Sequence, residues 1–191
     1  MKIAKINSNQ NFGKTALLSC QIKQEENKEK VNATLYKMDP HNPKDINDVK
    51  YSKQTRCIYR DFVAALEQRQ QNREFYLLQN DKTGEVISCA QTSHHYRPAN
   101  AQNEGFSTLI EEMNENKKYI NASEPLLAYI AKHAAERYDS TVYTAFTTDE
   151  IPSLKRAKFT QTKLGEFFIP EKRYYVLIDQ AEKHSQIEFL V

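Results

Sequence analysis

The sequence predicts a mixed α/β domain, and three observations carry that prediction. Short apolar runs rich in β-branched and aromatic residues recur along the chain, each bounded by turn residues or charge. Between them lie segments whose apolar residues repeat at helical spacing, above all Leu127, Ile130, Ala131, Ala134 and Tyr138. At 191 residues, with 11 Tyr and 9 Phe, the chain has material for one sizeable core, so a single domain over residues 1–191 is expected.

Residues 15–23 (TALLSCQIK) and 31–38 (VNATLYKM) predict two strands, joined across the charged run EENKEK. After Pro40 and Pro43, Asp45 is positioned to cap a helix through INDVKYS. A second helix follows, with Ile58, Phe62, Val63 and Leu66 on one face. Residues 75–78 and 86–96 predict a hairpin turned at NDKTGE, with Gly84 in the turn. Residues 98–105 (PANAQNEG) read as a loop, and 106–113 (FSTLIEEM) as a further strand. The strongest helix begins near Ser123. Then come a strand at 141–147, a short helix at 149–158 with Pro152 in its first turn, and two closing strands at 164–169 and 174–178. No internal repeat or low-complexity tract interrupts this order.

Bulk properties exclude several function classes. A net charge of +2 gives no electrostatic case for nucleic acid or an anionic membrane surface. Cys20, Cys57 and Cys89 are an odd number and widely spaced, which predicts free thiols in a reducing cytoplasm and no zinc or other metal site. The opening MKIAKINSNQNFGK contains no apolar run of secretory-leader type, and no segment approaches a membrane span.

Three clusters invite a chemical reading. SNQNFGKT at 8–15 imitates the end of a phosphate-binding P-loop, but Ser8 stands where the first glycine belongs and no strand precedes it. His94 and His95 close a strand, where neighbours point to opposite faces, so they are not expected to share a metal. Either could exchange protons near neutral pH, although one packed and one solvated imidazole is the favoured reading. Glu111 and Glu112 are likewise expected on opposite faces of their strand. One of them beside apolar residues would have a raised pKa suited to a general base, whereas an edge position would leave both wet.

The stretch KYINASEPLL, together with the element order, resembles the GNAT N-acetyltransferase superfamily. That family places [Q/R]-x-x-G-x-[G/A] between a strand and an amphipathic helix. Here Lys118 takes the Arg/Gln place, Asn121 the first glycine and Ser123 the second. The resemblance covers residues 31–179 as the core, with 1–30 as an N-terminal strand extension. It implies a mostly antiparallel central sheet flanked by helices, with the strand at 106–113 splaying from its neighbour to admit pantetheine.

The resemblance further implies acyl transfer from acetyl-CoA to a small-molecule or peptide amine. Met113, Lys118, Asn121, Ala122 and Ser123 would contact the cofactor, with a backbone amide near Met113 stabilising the oxyanion. Glu111 or Glu112 would deprotonate the amine. The cofactor motif is degenerate, since both glycines are replaced, Glu124 adds negative charge to the first helical turn and Pro125 removes an N–H. The family's general-acid tyrosine falls on Leu154 and its following glycine on Lys158, leaving Tyr143 and Tyr59 as substitutes. A GNAT-like binding or regulatory module that has lost CoA is therefore the alternative.

Overall fold

A computed structural model describes residues 13–68, 72–97, 105–144, 154, 156, 158–162 and 166–191. Among the described residues, nine strands form one sheet. They are β1 (Thr15–Lys23), β2 (Lys30–Lys37), β3 (Arg73–Asn80), β4 (Val86–Arg97), β5 (Gly105–Glu115), β6 (Thr141–Thr144), β7 (Thr160–Gln161), β8 (Phe167–Pro170) and β9 (Glu188–Phe189). Their order across the sheet is β7-β8-β6-β5-β4-β3-β2-β1-β9. Every neighbouring pair is antiparallel except β5 and β6, which run parallel.

Helices cover both faces. On one side α1 (Pro43–Tyr51) and α2 (Arg56–Gln68) pack Val49, Ile58 and Phe62 against Phe75, Leu77 and Cys89. On the other, α3 (Glu124–Glu136) and α4 (Tyr175–Ser185) pack side by side and cover the larger core, which includes Leu18, Leu35, Leu78 and Ile110. Glu74 ties the end of α3 to β2 and β3, accepting hydrogen bonds from Arg137 (2.6 Å), Lys37 (2.7 Å) and the Tyr76 hydroxyl (2.6 Å). No described helix is long and apolar enough to cross a membrane.

The first two predicted hairpins and the helices through α3 form, and the details differ for identifiable reasons. The cap of α1 is Asn42, whose side chain accepts from the Lys44 N–H at 2.8 Å, while Asp45 bonds back to the Asp39 N–H at 2.8 Å. Tyr138 does not extend the α3 stripe. It adopts φ 60° and is 86% exposed, because the N–H groups of Tyr138 and Asp139 bond Ala135 and Ala134 and close the helix in a Schellman motif. Residues 174–178 are not a strand but the start of α4, where Leu177, Ala181 and Ser185 are buried at a spacing of one helical turn. The predicted loop at 98–104 and most of the helix at 149–158 lie outside the described residues.

If α4 is held by this stripe, Leu177→Ala should cost about 2–4 kcal/mol, as for other buried leucines. Urea denaturation measures it, and a loss below about 0.5 kcal/mol would contradict the packing described.

Candidate functional site

The site begins with an irregularity in β5. Gln91 of β4 pairs with Glu112 and Thr92 with Ile110, so Glu111 is an extra residue on β5, a β-bulge. Ile110 and Met113 consequently both enter the α3-side core, although residues three apart in a regular strand face opposite sides. Glu111 and Glu112 are thus both turned toward α2, which corrects the expectation that they face apart.

Around them a polar cluster forms on the α2 face. Arg73 reaches Glu111 at 3.1 Å and Asp61 of α2 at 3.2 Å. Ser93 donates to Glu111 at 2.7 Å, and Gln91 donates to both Glu111 and Asp61. Three donors therefore occupy Glu111. Glu112 stands differently, for burial raises its pKa and the charges of Asp61 and Glu111 add to that.

The histidines divide as a strand requires. His95 Nε2 lies 2.7 Å from Ser93 Oγ on the α2 face, and His94 Nδ1 lies 3.1 Å from the buried Asp139 on the other. Among the described residues no cluster of His, Cys, Asp or Glu could hold a metal ion. Tyr143 is fully buried, with Arg97 over its ring at 3.6 Å, and Leu154 is fully buried too. Neither contributes an exposed acid.

Beyond Ile110, which pairs with Thr144, residues 111–115 of β5 have no partner on the β6 side among the described residues. This stretch leads to the turn before α3. That turn is docked on the first hairpin, with Ile120 N–H bonding Lys23 O at 2.8 Å and Tyr119 bridging Gln24. Asn121 takes φ 56°, the left-handed conformation for which glycine is the usual choice. Ala122 is buried, its carbonyl accepting from Ser88 at 2.9 Å. Lys118 is turned away toward Glu85, 2.9 Å from it.

Two carboxylates fill the start of α3. Glu115, next but one after Met113, is directed by the bulge toward Ser123. Burial raises its pKa, and the Ser123 hydroxyl and N–H offset part of that. Neither Glu115 Oε2 nor Ser123 Oγ completes a well-aligned hydrogen bond. Glu124, 1% exposed, is clamped between Arg156 Nε at 2.8 Å and His184 Nδ1 at 2.7 Å. Sequence reasoning missed Asp61, Arg73, Glu115 and the partners of Glu124. Only Glu115, in phase with Met113, had a local signal.

No family model and no curated protein matches the chain by sequence. Solved structures do match in shape. One is a mutant form of the AtaT toxin bound to the C-terminus of the antitoxin AtaR and acetyl-CoA, with TM-score 0.53, 10% identity, and 76% of this chain and 98% of that one covered. Another is a predicted acetyltransferase with acetyl-CoA from Clostridium acetobutylicum, with TM-score 0.50, 14% identity, and 69% and 92% covered. A third is the AtaT–AtaR complex bound to DNA, with TM-score 0.50, 12% identity, and 76% and 99% covered. The chain has the fold of the GNAT N-acetyltransferases.

Against that fold, the residues present bear on the diphosphate of an acyl-CoA. The diphosphate would have to sit at the N-terminus of α3, where the helix's partial positive charge already faces Glu115 and Glu124 and where Lys118 does not point. These residues do not fit a diphosphate.

Because Glu115 has a raised pKa in the folded state, the folded chain holds its proton longer than the unfolded chain as pH rises from about 4.5. Its burial therefore lowers stability progressively across that window and by a constant amount above it. Glu115→Gln should stabilise the protein at pH 7 by about 1 kcal/mol, a gain that fades toward pH 4. Denaturant midpoints across this range check it, and a gain that grows on acidification would contradict the assignment.

Proposed function

We propose that the chain is a GNAT-fold binding module that does not take acyl-CoA by its diphosphate. It would receive a cationic amine, either a small molecule or a peptide amino group, on the acidic α2 face. The observation that supports this is the pair of carboxylates at the start of α3, half-buried Glu115 and fully buried Glu124. The amine end rests on Glu112, whose proton affinity favours an ammonium partner, with Asp61 and Glu111 adding negative potential. The net charge of +2 argues for no nucleic-acid partner, and the DNA in the third neighbour belongs to that complex.

A second reading is an N-acyltransferase using acetyl-CoA, favoured by the GNAT fold and by the raised pKa of Glu112. Glu112 would then accept the proton of the attacking amine, while Arg73, Gln91 and Ser93 hold Glu111 in place.

Calorimetry with acetyl-CoA and free CoA separates the two. The first reading expects no heat at millimolar ligand, and binding gained in a Glu115→Ser/Asn121→Gly/Ser123→Gly variant that restores glycines and removes one charge. Micromolar binding by the unmodified chain would establish the second reading instead. In that case Glu112→Gln should lower turnover at least tenfold with CoA affinity unchanged.

A further inference from the structure

Two of the three cysteines lie together on the face not covered by α3. Cys57, second residue of α2, and Cys89, in the middle of β4, have sulfurs 3.8 Å apart, although 32 positions separate them in sequence. Cys57 is half-buried and Cys89 fully buried. The Gln54 carbonyl receives both thiols, Cys89 at 3.2 Å and Cys57 at 3.7 Å, and the Asn114 amide of β5 at 2.9 Å. The two sulfurs are thus held in register by a shared acceptor, at van der Waals contact, with one of them reachable from solvent.

We infer that Cys57 and Cys89 form an oxidisable dithiol, which a peroxide closes to a disulfide that staples α2 to β4. The thiolate is the reactive form, and the two thiols are polarised in the required sense. A hydrogen bond from Cys89 holds Cys57 below its ordinary pKa, against burial and the Glu112 charge, while the same bond and burial push Cys89 up. Cys20 is the internal contrast, for burial pushes its thiol up to about 12 and it has no neighbouring sulfur among the described residues.

The chemistry balances in two steps. The Cys57 thiolate attacks one peroxide oxygen; an S–O bond forms, the O–O bond breaks and hydroxide leaves, taking a proton to become water. The Cys89 sulfur then attacks the Cys57 sulfenic sulfur; the S–S bond forms, the S–O bond breaks, and the departing hydroxide leaves as water with the Cys89 proton. The two sulfurs lose two electrons and one peroxide becomes two waters. Closure needs the sulfurs to approach from 3.8 Å to about 2 Å, within the reach of side-chain rotation.

The inference is independent of whether acyl-CoA binds. The full-length chain is treated with hydrogen peroxide, quenched with catalase, denatured, alkylated with iodoacetamide and weighed intact. One alkylation in place of three is expected, with a peptide map linking Cys57 to Cys89 and dithiothreitol restoring all three. Cys57→Ser should abolish the link and leave both remaining thiols alkylated, whereas Cys89→Ala should abolish it and leave Cys57 as an unresolved sulfenic acid. The linked protein should melt higher by about 5 °C or more. Three alkylations after peroxide, sulfinic acid at Cys57 with Cys89 still free, a link through Cys20 or between chains, or an unchanged melting temperature would each overturn it.

Discussion

One extra residue in β5 sets the side-chain phase of everything after it. A strand alternates strictly, so an insertion at Glu111 exchanges the two faces for the rest of its length. Met113 goes beneath α3 as a result, Glu111 and Glu112 share the α2 side with Asp61, and Glu115 is aimed at Ser123. Without the bulge, Glu112 would face the apolar core under α3, an unpaired carboxylate in a place that cannot solvate it. Both the acidic cluster and the crowded helix start follow from this single departure from alternation.

The start of α3 shows two ways of keeping a carboxylate under cover. Glu124 is paired, with Arg156 and His184 each donating to one of its oxygens, and both partners remain about one-third exposed. Partly exposed donors keep much of their hydration, so the desolvation cost falls mainly on the carboxylate. Glu115 has no such cation in hydrogen-bonding contact and relies on Ser123 and on the helix dipole. The helix end is consequently satisfied from within the chain. A GNAT fold gains nothing electrostatically here from an external anion.

The sequence revealed what local periodicity encodes. The first hairpin, the β3–β4 hairpin and the α3 stripe from Leu127 to Ala134 all follow from residue spacing over a dozen positions or fewer, and these form as expected. The five-residue run from Tyr174 to Ile178 was too short to separate helix from strand, and α4 is fixed only by its burial against α3. The bulge left no local mark, because Glu111 and Glu112 look the same in either phase. Arg156 and His184, 32 and 60 positions from Glu124, were out of reach of any window-based reading. Asn121 was readable as a glycine substitute because few other side chains accept its left-handed backbone.

The docking of the α3 turn on the first hairpin has a kinetic side. The Ile120 N–H bond to Lys23, the Tyr119 bridge to Gln24 and the Glu25 N–H bond to Lys118 O hold this turn to the tip of β1. Any rearrangement that widened the turn would have to rupture those bonds together, so the turn behaves as a latch and not as a hinge. Opening of the turn is then tied to fraying at the β1–β2 tip, the region from Lys23 to Lys30.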